Sequence, residues 1–347
     1  MIEDAQLGER LASRTLELID IASESRAEEA IARHVEAVLA ASGVAVRDLG
    51  DGCLLAGALD APVLLAGHLD TVPSQGNRPG RRDGRRVQGL GASDMKGALA
   101  VMIELALAAA PFRCLFFGRE ELPVAESALT PLIAREHEAL ACELVLMMEP
   151  TDNEIHAGCL GNLNARWVFH GRSGHSARPW TADNAIERAA AGVSALAAHP
   201  PAPHEFDGLG FVEVASVTTI RGGIALNVIP DRVECGLNFR YAPGRAPGDA
   251  ERRLAELTHG HGELLIDSNA PSAPVAVGNP LARSLIAHGG MAVAPKQAWT
   301  PVAEFAAAGL DAVNFGPGAP AQAHRQDESI EVAALARCFS ILESWKP

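Results

Sequence analysis

The sequence predicts an α/β protein with a mixed, largely parallel sheet, into which a smaller α+β domain is inserted. Three observations support this prediction. Helical and apolar strand patterns alternate through the first part of the chain, which is typical of a parallel sheet with helices on both faces. After residue 162 the order changes to strand, helix, strand, strand, helix, strand. A stretch rich in Pro, Ala and Ser, Asn269–Pro280, then precedes further helix and strand patterns.

The first domain is predicted from segments that have the apolar spacing of helices or of buried strands. The predicted helices are Leu7–Ile21, Ala27–Ala41 and Gly97–Ala110. The predicted strands are Val63–Gly67, Arg113–Phe117 and Leu144–Met148. Because ligands of such sheets bind outside the carboxyl ends of the strands, the polar residues that follow these strands are the first candidates for a site.

The inserted domain is predicted from the second series of segments. Its strands are Leu163–Phe169, Phe211–Ile220, Arg232–Tyr241 and Glu263–Ser268, and its helices are Asn184–Ala197 and Pro247–His259. This βαββαβ order is that of a ferredoxin-like domain. The predicted boundaries are 1–160 and 271–347 for the α/β domain and 161–270 for the insertion.

Composition and charge narrow the class of protein. The 347 residues carry a formal net charge of -14, which disfavours both nucleic acid and membrane as partners. Pro, Gly and Asp interrupt the basic cluster Arg78–Arg86, which predicts a solvated loop. The six cysteines are single and form no CxxC pair, and no signal peptide or membrane-spanning segment is found. We therefore expect a cytoplasmic protein.

Polar residues follow the predicted strands, and each has an ordinary explanation on its own. His68 and Asp70 are two apart, a spacing at which the acid can orient an imidazole that binds metal. Asp94 precedes a helix in a glycine-rich turn, so it could be a helix N-cap. The adjacent carboxylates of Glu120 and Glu121 repel each other, which costs free energy unless cations compensate for their charge or the side chains face opposite ways into water.

Two further candidates are Glu149, after the third strand, and His324, in a late polar loop, and either could be a surface charge. Taken together, these imidazoles and carboxylates suit two zinc ions that activate water for hydrolysis. One of the adjacent glutamates could bind metal while the other moves protons.

At these residues the chain resembles the M20 family of metallopeptidases and deacylases. The motifs that carry the resemblance are, in order, His68-Leu69-Asp70-Thr71-Val72-Pro73, Asp94-Met95-Lys96-Gly97, Glu120-Glu121, Glu149-Pro150-Thr151 and His324. The resemblance covers nearly the whole chain. It implies a zinc-hydrolase catalytic domain with an inserted lid and dimerisation domain, and a cis peptide after Asp94.

The resemblance also implies a ligand set for two divalent metal ions. Asp94 would bridge both ions. His68 and Glu149 would complete one site. Glu121 and His324 would complete the other. Zinc is the expected metal, with cobalt or manganese as alternatives, because carboxylate-rich sites accept several divalent ions.

The remaining catalytic roles follow from the same resemblance. Asp70 would orient His68. Glu120 would be the general base that takes a proton from water and delivers it to the leaving amine. In the motif Gly174–Trp180, His175 would reach the active site of a partner subunit and stabilise the oxyanion, so that a homodimer formed through the lid is part of catalysis. Outside this motif, His175 would be an ordinary loop histidine.

Within the family, the segments His175–Trp180 and Lys296–Thr300 resemble those of the succinyl-diaminopimelate desuccinylases. This implies a small acylated amino-acid substrate whose carboxylates need cationic or amide donors. The candidate donors are Arg178, Asn227, Arg240, Thr300, Gly316 and Gly318. The chain departs from those enzymes at Cys159–Gly161, where others carry an arginine, and at Pro301, where near relatives often have an acid.

Three alternatives remain at this point. Another deacylase of the family, such as an acetylornithine deacetylase or a carboxypeptidase-like amidase, would share the metal centre. A catalytically inactive metal-binding regulatory protein would be expected to lack Glu120 or a ligand, and none is missing. A nucleotide-binding protein would need a glycine-rich phosphate loop. Gly89-Leu90-Gly91 has neither the full glycine fingerprint of a dinucleotide-binding turn nor the lysine pattern of a P-loop.

Overall fold

A computed structural model describes residues 2–347 of the chain. The chain divides into two compact units. The first contains the chain up to Gly158 together with Val275–Ala294 and Thr300–Pro347. The second contains Cys159–Pro274 and the short return Pro295–Trp299, which the predicted insertion 161–270 does not include.

The structure forms helices and strands at nearly all the predicted places. The helices are α1 (Ile2–Asp20), α2 (Glu29–Ala41), α3 (Gly97–Leu107), α4 (Leu129–Arg135), α5 (His137–Leu140), α6 (Ala185–Ala197), α7 (Pro247–Thr258), α8 (Pro280–Gly289), α9 (Val302–Ala307) and α10 (Val332–Ser344). None of the helices in residues 2–347 is both long and apolar enough to cross a membrane.

The strands are β1 (Val46–Gly50), β2 (Cys53–Gly57), β3 (Val63–His68), β4 (Arg81–Asp83), β5 (Arg86–Gln88), β6 (Arg113–Phe117), β7 (Leu144–Met147), β8 (Ile155–Ala157), β9 (Gly161–His170), β10 (Gly174–His175), β11 (Ala202–Phe206), β12 (Leu209–Gly222), β13 (Val228–Ile229), β14 (Arg232–Tyr241), β15 (Glu263–Ala270), β16 (Val293–Pro295), β17 (Ala312–Asn314) and β18 (Ser329–Glu331).

The first unit is built on an eight-stranded sheet with the order β1-β2-β6-β3-β7-β17-β8-β16. The central strands β6, β3, β7 and β17 are parallel to one another, whereas β1, β2 and β8 run antiparallel to their neighbours. The predicted mixed, largely parallel sheet is confirmed. Its central strands therefore end at the same edge.

Burial explains why these segments form their elements. Every residue of β3, β6 and β7 is buried, as expected for strands covered on both faces. Helix α3 is buried almost throughout and packs against α1, α10 and the strands β2, β3 and β6. Its one buried acid, Glu104, is neutralised by Arg10 at 2.7 Å and Arg14 at 3.3 Å.

The second unit contains a five-stranded antiparallel sheet with the order β11-β12-β14-β9-β15. Helices α6 and α7 pack on one face of this sheet, around buried residues such as Trp167 and Phe239. Without β11, the strand order is that of the predicted ferredoxin-like domain. The additional strand β11 covers β12 only along Leu209–Glu213. Beyond that point, no strand of the described chain pairs with the outer edge of β12.

The Arg78–Arg86 segment corrects one prediction. Arg78 is half-buried and the other four arginines are exposed, but the backbone is not a simple loop, because β4 and β5 form a hairpin that also pairs with β18. Strands of three residues are too short to show a period in the sequence, and only Val87 of this hairpin is buried.

Candidate metal centre and active site

The parallel strands of the first unit deliver polar residues to one edge of the sheet. His68 ends β3, and the loop Gly118–Glu121 follows β6. Glu149 comes shortly after β7, and the loop Phe315–Gly318 follows β17. The residues predicted from four separate parts of the sequence therefore follow neighbouring strand ends.

Asp94 directs its two carboxylate oxygens toward two different histidines. Its Oδ1 is 3.2 Å from His68 Nε2, and its Oδ2 is 3.6 Å from His324 Nε2. A Glu149 oxygen is 3.8 Å from His68 Nε2, and a Glu121 oxygen is 3.1 Å from His324 Nε2. Two groups of side chains thus share one carboxylate. The peptide bond between Asp94 and Met95 is cis, as predicted.

These separations fit the ligands of two metal ions. Ligand atoms about 2.0–2.2 Å from a tetrahedral zinc ion lie about 3.4 Å from one another. The four separations in this centre range from 3.1 to 3.8 Å. His68, Asp94 and Glu121 alone bring three ligand atoms within 4.8 Å of one another. The geometry is therefore that expected of two ligand sets joined through Asp94.

The charge of the centre leads to the same conclusion. Two imidazoles are surrounded by the carboxylates of Asp70, Asp94, Glu120, Glu121, Glu149 and Glu328. Protonated histidines could neutralise only part of this negative charge. Two divalent cations would neutralise most of it, which explains why so many acids are tolerated in a largely buried place.

His68 is held so that Nε2 faces the carboxylates. Its Nδ1 is 3.0 Å from the Asp70 backbone oxygen and 3.6 Å from the Asp70 carboxylate. Burial opposes a positive charge on the imidazole, but hydrogen bonds with Asp70 and Asp94 outweigh it and raise the pKa of His68 well above its usual value. Asp70 is therefore placed to orient His68.

Asp70 also anchors the loop that carries the predicted base. Its carboxylate accepts hydrogen bonds from the backbone N–H groups of Glu120 at 3.0 Å and Glu121 at 3.1 Å, and from the Ser25 hydroxyl at 2.8 Å. Burial would raise the pKa of Asp70, but the neighbouring His68 and these donors lower it below its usual range. One ionised carboxylate thus positions His68 and both adjacent glutamates.

Glu120 has the electrostatic environment of a proton acceptor. Burial raises its pKa well above the usual value, and His68 opposes this shift. The negative charges of Glu149, Glu121 and Asp94 raise the pKa further. A carboxylate in this state binds a proton readily, which suits a general base that must later act as an acid.

Glu328 is a residue of the centre that the sequence analysis did not single out. It is 2% exposed and accepts hydrogen bonds from the N–H groups of Gly91 and Ser93, both at 2.8 Å, and of Asp94 at 2.9 Å. Burial raises the pKa of Glu328 to about 7, although these N–H donors lower it. Its only signal in the sequence is an acidic residue in the same polar loop as His324.

Gly316 and Gly318 pack against the loops that carry predicted metal ligands. A Cβ at Gly316 would lie 2.4 Å from the Met148 oxygen, and one at Gly318 would lie 2.4 Å from the Ser93 oxygen. The Gly316 N–H donates to Thr151 Oγ1 at 3.0 Å. The Gly316 amide, which was predicted as a substrate donor, is thus engaged within the protein. Since Pro317 has no N–H, Gly318 is the amide of this loop that remains a candidate.

Thr300, another predicted substrate contact, is buried in the first unit. Its hydroxyl donates to Asn314 Oδ1 at 2.9 Å, and Asn314 Nδ2 donates to the His156 oxygen at 3.0 Å. The Thr300 proton is therefore directed to a neighbouring strand.

The other predicted residues lie in the second unit. Strands β10 and β13 pair His175 with Val228, and the Ser176 N–H donates to the Asn227 oxygen at 3.0 Å. The Ala177 N–H donates to His175 Nδ1 at 3.0 Å, so the proton of a neutral His175 ring is on Nε2. Exposed His175 can therefore donate from Nε2.

Two arginines complete the predicted set in this unit. Arg178 is exposed in the loop after His175, and Arg240 is half-buried on β14. The structure thus groups the predicted metal ligands, Asp70 and Glu120 in the first unit. It brings His175 close to Asn227 in the second unit.

Comparisons with known proteins agree with this geometry. The profile of peptidase family M20/M25/M40 matches residues 64–345. A Mycobacterium tuberculosis protein assigned by name to the succinyl-diaminopimelate desuccinylases is 36% identical over 340 residues, which cover 95% of this chain and 96% of that protein. The succinyl-diaminopimelate desuccinylase of Corynebacterium glutamicum is 34% identical over 348 residues, covering 95% and 94%.

The fold is similar to that of a solved enzyme. The M20 family metallo-carboxypeptidase Sso-CP2 of Sulfolobus solfataricus superimposes with a TM-score of 0.77. The superposition covers 96% of this chain and 97% of that one, at 17% sequence identity. At this identity the likeness concerns the fold.

Proposed function

The chain belongs to peptidase family M20/M25/M40, whose members hydrolyse amide bonds, and from this membership we propose that it is a succinyl-diaminopimelate desuccinylase. It would cleave N-succinyl-LL-2,6-diaminopimelate to succinate and LL-2,6-diaminopimelate. One observation supports the proposal of a hydrolase most directly: Asp94 places one carboxylate oxygen toward each of two histidines. The two desuccinylase relatives support the choice of acyl group.

We assign the two metal sites as the ligand separations suggest. Asp94 would be shared, His68 and Glu149 would hold one ion, and Glu121 and His324 would hold the other. Zinc is the default because its ligands are the imidazole and carboxylate groups present, with cobalt and manganese as alternatives. Such ions, when bound, polarise the acyl carbonyl and lower the pKa of water.

Glu120 moves the protons of the reaction. It takes a proton from the attacking water and gives it to the amine nitrogen as the C–N bond breaks. Burial raises the pKa of Glu120, which suits both steps, because the proton is held strongly enough to be carried from one to the other. Asp70 holds the Glu120 backbone, so the base stays in place during the transfer.

His175 stabilises the negative oxygen of the tetrahedral intermediate by donating its Nε2 proton. In the family this histidine acts from a partner subunit, and we propose the same homodimer here. The unpaired edge of β12 and the exposed Ile220, Ile224 and Leu226 of the second unit support a self-association surface.

Arg178, Asn227 and Arg240 are the proposed contacts for substrate carboxylates. A guanidinium can bind a planar carboxylate through two parallel hydrogen bonds. The product would supply lysine and cell-wall synthesis. A cytoplasmic location is also proposed, and it is supported by six cysteines that are all free of disulfides.

The test is amide hydrolysis by zinc-loaded protein on N-succinyl-LL-2,6-diaminopimelate beside N-acetylornithine, with a chelated sample as the control. We expect chelator-sensitive release from the succinyl compound. Faster release from acetylornithine would favour the acetylornithine deacetylase alternative. No hydrolysis of these or of a wider acyl-amino-acid panel, with metal bound, would favour the inactive regulatory protein.

A further inference from the structure

The open face of the antiparallel sheet in the second unit carries three asparagines. Buried residues of β9 and β14 face the helices, and the alternating positions Asn162, Asn164 and Asn238 face the other way. Asparagine is disfavoured in strands, and β9 and β14 lie in the interior of the sheet. The fold therefore gives no reason for three asparagines at these places.

The asparagines form a connected network whose hydrogen bonds fix the orientation of Asn238. Asn238 Nδ2 donates to Asn162 Oδ1 at 2.7 Å and to Asn164 Oδ1 at 2.8 Å. Asn164 in turn donates to Ser268 on β15 at 3.1 Å. With both amide protons used, Asn238 Oδ1 must point away from its two asparagine neighbours.

That oxygen accepts a hydrogen bond from Arg240 Nε at 2.8 Å. Rotating the Asn238 amide by half a turn would place its nitrogen against Nε–H and its oxygen against two oxygens, so one orientation satisfies all three contacts. Because Nε is engaged, the two terminal nitrogens of Arg240 remain for a ligand. The guanidinium is thus presented end-on.

Arg240 also lacks the partner that a half-buried cation normally has. Burial lowers the pKa of Arg240, Cys159 opposes this shift, and no carboxylate of the described residues is among the groups that act on it. A partly desolvated charge without a counter-ion is costly, and a bound anion would compensate for it.

We propose that Asn238 is a positioning residue that holds the Arg240 guanidinium end-on for a substrate carboxylate, and that Asn162 and Asn164 fix Asn238 in turn. This inference rests on the proposed function in taking a carboxylate of the succinylated substrate as the ligand. It goes further in assigning specificity for a planar anion to a side-chain network rather than to one arginine.

The test is a double-mutant cycle in the full-length, zinc-loaded enzyme, with succinate binding measured by calorimetry. Asn238→Leu and Arg240→Leu should each weaken binding about tenfold, as expected for a lost charge-assisted hydrogen bond. The double variant should bind no more weakly than Arg240→Leu, because Asn238 acts only through Arg240. Hydrolysis by Asn238→Leu should show a raised KM with nearly unchanged kcat.

The matched control is Asn269→Leu, which removes an asparagine of the same sheet that hydrogen-bonds Pro247, Glu251 and the Tyr241 hydroxyl but not Arg240. Succinate affinity should be unchanged in it. Asn238→Val, with a good strand former, replaces Asn238→Leu if that variant does not fold.

Additive losses in the double variant, normal affinity in Asn238→Leu, or no succinate binding by the wild type would each overturn the inference. If the wild type does not cleave the succinyl substrate but the cycle shows coupling, the proposed function fails and the carboxylate site stands.

Discussion

Glu328 accepts a hydrogen bond from the backbone N–H of Asp94 at 2.9 Å, so the residue proposed to bridge the metals is held in place by an acid outside the proposed ligand set. We expect Glu328→Ala to weaken metal binding about 10–100-fold, as is typical when a group that orients a ligand is removed. Metal titration of the chelated protein would measure this loss.

The neighbouring Asp327 provides the matched control. It is exposed and paired with Arg325, so Asp327→Ala should leave metal affinity unchanged. Equal affinities of Glu328→Ala and the wild type would show that the Asp94 turn holds its shape without this carboxylate.

The adjacent glutamates should separate into two roles. Glu120→Gln should keep its metals and lose about 10²–10⁴-fold in kcat, because the proton acceptor is removed. Glu121→Gln should instead lose metal. Metal content by atomic spectroscopy beside steady-state kinetics distinguishes these outcomes, and near-normal turnover of Glu120→Gln would remove that residue from the mechanism.

A methyl group at Gly318 should disturb the metal centre from outside it. In Gly318→Ala the added Cβ would meet the Ser93 oxygen at 2.4 Å, and relief requires movement of the loop before Asp94. We expect a loss of about 1–3 kcal/mol in the free energy of unfolding, together with weaker metal binding. Gly278→Ala, where nothing lies within 4 Å, is the control. A Gly318→Ala protein as stable as the control would contradict this packing.

The stability of the metal-free protein should depend on His324. The hydrogen bond to Glu121, followed by the charge of Asp94, raises the pKa of His324 to about 9, although burial opposes it. Because the pKa of His324 in the folded protein lies above the unfolded value of 6.5, the ion pair of His324 with Glu121 stabilises the fold fully below pH 6.5. This stabilisation is lost as the pH rises through about 9.

Thermal unfolding in chelator should therefore give a Tm that falls across this pH range. The fall should be smaller in His324→Gln, in which no imidazole titrates at this position. Identical slopes for the two proteins would mean that other groups govern the pH dependence.

Mixed dimers test whether His175 acts across the subunit boundary. We expect His175→Ala and Glu120→Gln subunits to be nearly inactive alone and to regain about a quarter of wild-type activity when mixed in equal amounts, since half of the dimers then contain one complete site. Activity assays after proven subunit exchange provide the measurement. No recovery would place the histidine in the same subunit as its metal centre.

The sequence predicted the parts of this site that depend on strand ends and on family motifs. His68 and Glu149 were found because each follows a continuous apolar run, which marks a buried strand. The positions of the central strands and of the antiparallel insertion followed from the same periodicity.

The remainder could not be predicted because it depends on contacts between residues that are distant in the chain. Glu328 acts through three backbone N–H groups that precede it by more than two hundred residues, and no spacing pattern records such a contact. The Gly316 amide was proposed as a substrate donor because Thr151, its partner, could not be located without the fold.

The position of His324 and Glu328 in the chain has a consequence for biosynthesis. Both residues follow the entire second unit, whereas the turn that they complete, Gly91–Asp94, precedes it. A ribosome must therefore make the whole insertion before the Asp94 turn acquires its acceptor and the second histidine becomes available. A nascent chain that ends before Glu328 would have an incomplete metal centre. The protein can therefore bind both metal ions fully only after translation has passed Glu328.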